Sequence, residues 1–252
     1  MIKILINGCN GKMGQEVMKL IDSNHDFVLI GGFDLKNNGN YSFPVYTDIS
    51  QIEEKPDVVI DFSVPDATMK ILSYCKSNGV PIVIATTGLS NEQMTEIKKA
   101  SKIIPIFKSA NMSYDINLMA SILSELAVKL QNTDIEIIET HHNRKIDSPS
   151  GTALFLADSI NQALGNTKTY EFDRHHKHEK RSKDEIGFSS VRGGNIVGEH
   201  IVQFYGENET FEIKHTCYSR TVFAEGALKA AQFLFQQENG FYNMNDLIES
   251  NQ

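Results

Sequence analysis

Apolar and polar positions follow two rhythms along the first half of the chain. Short apolar runs, "IKILIN", "FVLIGGFD", "DVVIDFS", "PIVIATT" and "PIFKSA", are each bounded by Gly, Pro, Asn or Asp, as strands are. Between them "KMGQEVMKLIDS", "DATMKILSYCKSN" and "NEQMTEIKKAS" repeat apolar residues at three- and four-residue spacing, the pattern of helices that cover a sheet. Repeated β-then-α units predict an α/β architecture with a doubly wound parallel sheet. From about Tyr114 the pattern changes. A long helix ("INLMASILSELAVKL") precedes a strand ("DIEIIET"), a histidine-rich segment, a second helix and a polar stretch, "EFDRHHKHEKRSKDE". The runs "IGFSSVRGG", "EHIVQFYG" and "ETFEIKHTCYS" then predict an antiparallel or mixed sheet with one face under the two helices. A final amphipathic run, "VFAEGALKAAQFLFQ", reads as a helix that returns to the first domain. The expected division is residues 1–112 completed by 219–252, and 113–218 as a second α+β domain.

Length and composition narrow the classes. A chain of 252 residues buries roughly 70 to 75% of its unfolded surface, and no window approaches the roughly eighteen unbroken apolar residues of a membrane span. The N-terminal "MIKILING" lacks a small-residue cleavage site and reads as a first strand, so a cytoplasmic location is expected. Three cysteines, Cys9, Cys75 and Cys217, form no CxxC pair, which argues against a disulfide framework or a zinc site. A net charge of -8 disfavours the basic face that nucleic acid requires. Any anionic ligand has to be drawn by a local basic cluster.

Two segments carry candidate chemistry. "INGCNGKMG" follows the first strand and opens the first helix, with Gly8, Gly11 and Gly14 in GxxGxxG spacing. Such a turn lets backbone amides approach a pyrophosphate at a helix N-terminus, or only permits close βα packing. Asp34, about twenty residues on at the end of the second strand, stands where a carboxylate reaches ribose hydroxyls. Cys9 reads as a small filler in the loop. The second segment is "ETHHNRKIDSPSGTALFLADSI". Ser148 and Pro149 are expected to cap and open a helix, leaving Gly151 and Thr152 amides for an anion, with His141, His142, Arg144 and Lys145 just upstream. The arrangement fits a carboxylate clamp with proton donors beside it; a solvated basic loop and a metal site are the alternatives.

"ETHHNRKIDSPSGTA" resembles the signature E-x-H-H-x-x-K-x-D-x-P-S-G-T-A of the 4-hydroxy-tetrahydrodipicolinate reductase (dihydrodipicolinate reductase) family. Four further motifs occur in that family's order: the glycine loop from Gly8 to Gly14, Thr86-Thr87-Gly88, Ala110 to Ser113, and the run from Ile186 to His200. The resemblance implies a Rossmann-like two-domain enzyme that reduces a cyclic dicarboxylate with NADH or NADPH on the route to diaminopimelate and lysine. It implies that Gly8, Cys9, Asn10, Gly11, Lys12, Met13, Asp34, Ala85, Thr86, Thr87, Ser109, Ala110, Asn111 and Met112 line the cofactor. It makes His141 and Lys145 the proton-transferring residues and gives the substrate to His142, Gly151 and Thr152. It also implies a homotetramer built through the second domain's sheet, with a small dicarboxylate as the partner molecule and no metal. Asp34 favours NADH, because a 2'-phosphate brings negative charge against it, although Lys12 and Lys36 oppose that effect. Two departures stand out: Ser148 replaces the usual alanine, and Lys12 replaces a common arginine. His175, His176 and His178 are read as part of a mobile surface loop, and Arg192 and Arg220 as further contacts without a fixed place. The rival readings are another two-domain nicotinamide oxidoreductase, such as a sugar dehydrogenase or a semialdehyde dehydrogenase, the latter needing a thiol nucleophile that Cys217 is not placed to supply, and a dinucleotide-binding redox sensor, which has no use for Lys145 and His141.

Overall fold

The computed structural model describes residues 1–38 and 41–250, so the last two positions of the expected C-terminal segment lie outside the described residues. The chain forms two compact units, Met1–Tyr114 with Arg220–Gln252 and Asp115–Ser219.

The first unit runs β1 (Ile2–Asn7), α1 (Lys12–Asp22), β2 (Phe27–Phe33), β3 (Val45–Tyr46), β4 (Val58–Asp61), α2 (Pro65–Asn78), β5 (Ile82–Ile84), α3 (Asn91–Ala100) and β6 (Pro105–Lys108). The second unit then contributes α4 (Tyr114–Lys129), β7 (Asp134–His141), α5 (Gly151–Ala163), β8 (Thr169–Glu171), β9 (Glu185–Arg192), β10 (Gly198–Tyr205) and β11 (Thr210–Cys217). Finally α6 (Thr221–Leu234), β12 (Gly240–Tyr242) and α7 (Met244–Glu249) return to the first unit.

In the first unit all seven strands are parallel, in the order β12-β6-β5-β4-β1-β2-β3. The chain winds outward from β1 in one direction and from β4 in the other, so the order reverses between those two strands. Alternation within β1 shows why both faces are buried. Ile4 and Ile6 pack with α1, α6 and α7, whereas Leu5 points to the opposite layer with α2 and α3. Each such side chain, at 0% exposure, contributes about 1.5–3 kcal/mol of burial free energy. The edge strands β3 and β12 were not among the predicted runs. They are two and three residues long, too short to establish a period.

The second unit holds a mixed sheet, β11-β10-β7-β9-β8, in which β7 pairs antiparallel with β10 and parallel with β9. Helices α4 and α5 cover one face through Leu123, Ala127, Leu156 and Ile160. Alternate residues of β7, namely Ile135, Ile137, Glu139 and His141, are all buried. The apolar pair lies in the core, and the polar pair continues the same face to the strand's end.

The polar stretch after β8, read from the sequence as a mobile surface loop, is mostly exposed, but several of its cations have partners. Arg181 donates to Glu136 at 3.0 Å, Asp134 at 3.0 Å and the Ile135 carbonyl at 2.8 Å. Arg174 and Lys177 pair with Glu185 and Glu171. Arg174, Lys177 and Arg181 are therefore tied to the sheet, and His175 and His176 stack edge to face.

Candidate active site

In the first unit the chain leaves β1 through Gly8, whose φ of +83° and closeness to the Phe62 carbonyl, 2.6 Å from any Cβ there, admit only glycine. Gly14 allows the first turn of α1 to sit on the loop, since a Cβ would meet the Gly8 carbonyl at 2.4 Å. Gly11 starts α1 with no side-chain cap, whereas Ser90, Ser150 and Asn243 cap α3, α5 and α7. The Cys9 thiol packs on Gly32 and is fully buried; burial first, then Asp34, pushes its pKa up to about 11. Only the Cys9 backbone is available to a ligand. Asp34 accepts from the Asn10 amide at 2.9 Å and the Leu35 amide at 2.7 Å, so its carboxylate braces the glycine loop.

Beside this loop lies a cavity of about 600 Å³ lined by Lys12, Met13, Ala85, Thr86, Thr87, Ser109, Ala110, Asn111 and Met112. Nine residues singled out from the sequence thus meet in one place. Gly8, Cys9, Asn10, Gly11 and Asp34 do not line it. Phe62, Ser63, Arg220 and Phe223 do, and were not anticipated there. Phe62 and Ser63 follow β4 at the reversal of strand order, where doubly wound sheets bind ligands, and that signal was readable. Arg220 and Phe223 arrive with α6, and no local pattern marks them. Helix α6 also approaches the 109–112 turn so closely that a Cβ on Gly226 would lie 1.7 Å from the Met112 carbonyl.

The cavity floor is organised by Asp61, which is fully buried. It accepts from Asn7 Nδ2 at 2.7 Å, Ser63 N at 3.1 Å, Ser63 Oγ at 2.5 Å, Thr68 Oγ1 at 2.6 Å and Thr86 Oγ1 at 2.9 Å. Burial raises its pKa while these bonds oppose the rise. The Thr86 hydroxyl is therefore engaged with protein. An uncapped helix start, a glycine turn without room for side chains and a cavity at the strand-order reversal fit a dinucleotide.

In the second unit the histidine segment surrounds a buried carboxylate. Glu139, at 0% exposure, accepts from His141 Nδ1 at 2.5 Å, from Arg192 at 2.8 and 2.7 Å on its two oxygens, and from the Ser150 amide at 3.1 Å. Burial alone would raise its pKa; the hydrogen bonds from His141, Arg192 and Ser190 instead hold it well below the usual carboxylate range. Arg192, left without a place by the sequence, also donates to the Asp147 carbonyl at 2.7 Å.

Helix α5 begins at Gly151 with Ser150 as its cap, Ser150 Oγ accepting from the Ala153 amide at 3.1 Å. The expected cap at Ser148 and opening proline at 149 are thus displaced by two residues, and the Ser148–Pro149 peptide is cis. Ser150 prevails because its amide is held by Glu139 and its hydroxyl also meets His200 Nε2 at 2.9 Å. His200 is buried among His141, His215 and Lys145, and burial first, then His141, pushes its pKa down to about 3.

Lys145 follows a turn closed by its amide on the His142 carbonyl at 3.1 Å, and its Nζ pairs with Asp147 at 2.8 Å. The Asp147 carboxylate also draws on the Gly151 amide. Lys145, Asp147 and the α5 start therefore adjoin. Arg144 donates to Asn195 at 2.9 Å and acts as a loop tie. A cavity of about 670 Å³ in this unit, lined by Asp158, Asn161, Gln162, Asn166, Lys168, Thr169 and Tyr170, contains none of the candidate residues.

Residues 2–112 match the family model described as dihydrodipicolinate reductase, N-terminus, and residues 115–248 match its C-terminus counterpart. A 4-hydroxy-tetrahydrodipicolinate reductase of Caldanaerobacter subterraneus is 50% identical over 249 residues, covering 99% of each chain. One of Clostridium tetani is 46% identical, over 99% of this chain and 98% of its own. The solved structure of a dipicolinate-bound dihydrodipicolinate reductase from Paenisporosarcina superposes with a TM-score of 0.84 at 27% identity, covering 97% of this chain and 99% of that one. A myo-inositol dehydrogenase from Corynebacterium glutamicum, at 15% identity and a TM-score of 0.63, shares the fold alone. Family models match both halves of the chain, and the chain belongs to the dihydrodipicolinate reductase family.

Proposed function

We propose that this protein reduces 4-hydroxy-tetrahydrodipicolinate to tetrahydrodipicolinate with a reduced nicotinamide dinucleotide, NADH ahead of NADPH, in the supply of diaminopimelate and lysine. The observation that carries the reading is the second unit's cluster. A buried histidine held on a carboxylate, a lysine and the start of a helix adjoin within one segment. The bound cofactor supplies a hydride. The chain's own residues do the rest. Gly151 and Thr152 at the start of α5, with Lys145 beside them, hold a substrate carboxylate, and His142 contacts the ring. Addition of hydride to an unsaturated ring leaves an electron-rich centre that has to be protonated, and His141 and Lys145 are the groups able to deliver a proton there. In the first unit Asp34 receives the ribose hydroxyls, with Lys12 at the cavity and Lys36 two residues beyond Asp34.

We infer further that the protein is cytoplasmic and assembles as a homotetramer through the sheet face of β7, β9 and β10 that α4 and α5 leave uncovered. That face carries Val191 and Tyr205, which are exposed within one chain. Among the described residues no helix is long and apolar enough to cross a membrane. Light scattering in solution tests the subunit number.

The deciding assay supplies the condensation product of pyruvate and aspartate semialdehyde and follows the absorbance of reduced nicotinamide. Consumption that depends on the condensation product supports the reading. Consumption that is absent, while a sugar or semialdehyde is turned over, overturns it. Pyridine-2,6-dicarboxylate is expected to compete with substrate and to bind less tightly to Thr152→Val.

A further inference from the structure

Glu139 carries an arrangement that the proposed chemistry has not used. It is the second residue before His141 on β7, so strand alternation places both side chains on the same face. The strand register then sets Ser190 and Arg192 of β9 beside them, Ser190 against Glu139 and Arg192 against His141. An ionised carboxylate only accepts hydrogen bonds. The 2.5 Å contact therefore requires the proton on His141 Nδ1, and the bidentate Arg192 pair keeps the carboxylate ionised while it does so. With Nδ1 fixed, Nε2 is the nitrogen left for proton transfer. Nε2 lies beside Gly198, where a Cβ would approach to 3.0 Å, so the missing side chain keeps space open next to it. The same carboxylate accepts the Ser150 amide at 3.1 Å and thereby ties the histidine to the start of α5.

We propose that Glu139 is a positioning residue that sets the tautomer and direction of His141 and fixes its distance from the α5 anion site. The inference rests on His141 being the proton-transferring residue. Glu139 touches no reacting atom. It acts through the imidazole, as a buried carboxylate does when it holds a general acid-base histidine in one tautomer. Glu139→Gln tests it closely. The amide is isosteric, but wherever its NH2 is placed it faces Arg192 and either His141 or the Ser150 amide. The orientation that turns the NH2 toward His141 avoids a donor-donor clash only when that ring's proton moves to Nε2.

The experiment has two arms on the full chain. In the first, 15N-histidine-labelled wild type and Glu139→Gln are compared by NMR at a pH where the ring is neutral, the His141 signals being those absent from His141→Asn. Wild type is expected to be protonated at Nδ1, and the variant to lose that state. A wild-type ring protonated at Nε2 overturns the proposal whether or not the variant folds. In the second arm, Glu139→Gln is expected to lose at least about 100-fold in kcat, with the substrate KM changed less than about threefold. The basic limb of its kcat-pH profile is expected to move to lower pH, since the imidazolium has lost its anionic partner. A folded variant with kcat within about threefold of wild type and an unmoved profile overturns the proposal. If His141→Asn itself keeps full turnover, the reading of His141 fails first, and the two failures are told apart.

Discussion

His200 makes acid sensitivity a quantitative consequence of the site's architecture. Its ring is buried opposite Glu139 on the neighbouring strand, with His141, His215 and Lys145 as surrounding positive or potentially positive groups, and its pKa falls to about 3. A group with a depressed folded-state pKa binds its proton in the unfolded chain first, so folding stability is lost as pH falls below the unfolded value of about 6.5. At pH 5.0 the unfolded histidine has gained about 1.5 pKa units of protonation free energy and the folded one almost none, a loss of about 2 kcal/mol relative to pH 7.5. Glu139 adds to the acid loss only below the ordinary carboxylate range near pH 4.5, because its own pKa is lowered. His215, also lowered by burial, contributes in the same window. The variant His200→Gln therefore isolates the effect, since glutamine can still reach Ser150 Oγ but does not titrate. Urea unfolding followed by far-UV circular dichroism at pH 7.5 and 5.0 gives the free energies. The acid loss in wild type is expected to exceed that in His200→Gln by about 2 kcal/mol. Equal losses in the two proteins would refute the buried-neutral assignment.

Three other outcomes are expected. Lys145→Ala and His141→Ala lower kcat by about 10²- to 10⁴-fold while dinucleotide affinity, read by fluorescence titration, changes little; near-normal turnover in both removes them from proton transfer. Asp34→Ala narrows or reverses the NADH-over-NADPH ratio of kcat/KM by about tenfold, the loss of a charged hydrogen-bond acceptor at the ribose; a wild type that strongly prefers NADPH shows that Lys12 and Lys36 outweigh the carboxylate. Gly226→Ala, a change that stabilises most helices by up to about 1 kcal/mol, here destabilises by about 1–3 kcal/mol and weakens dinucleotide binding, because its Cβ falls 1.7 Å from the Met112 carbonyl; a raised melting temperature contradicts this.

The parallel sheet was legible because its inner strands are unbroken apolar runs between glycines and acidic residues, and β1 through Ile4, Leu5 and Ile6 is buried on both sides. The edge strands were not, since Val45–Tyr46 and Gly240–Tyr242 take their strand character from pairing with β2 and β6 rather than from any period of their own. In the histidine segment two serines flank Pro149, and local preference favoured the first. Ser150 becomes the cap through tertiary bonds to Glu139 and His200, which no window around residue 148 contains. The same reason hid Asp61, whose donors come from β1, the turn after β4, α2 and the turn after β5. Residues with backbone requirements were easier to single out, as Gly8 and Gly14 illustrate. Residues whose role is to receive hydrogen bonds from distant strands left only a carboxylate in the sequence.

The charges of the second unit's cluster divide into a permanent pair and an exchangeable one, and that division bears on how a dianion is accommodated. Glu139 and Arg192 neutralise each other through two bonds, with Glu139 buried and Arg192 one-fifth exposed; removing either leaves an uncompensated buried partner, so this pair is fixed. Lys145 and Asp147 form a different kind of pair, with the Asp147 side chain 57% exposed, and an ion pair so open to water is worth about 0–1 kcal/mol. Asp147 thus occupies the Lys145 ammonium and the Gly151 amide at little free-energy gain, and on the reading proposed above a substrate carboxylate replaces it and meets a cation and a helix start. Asp147 released to water loses almost nothing. On the proposed reading Lys145 is neutralised by Asp147 without substrate and presents its charge once Asp147 yields, while Glu139 and Arg192 keep His141 in its aim.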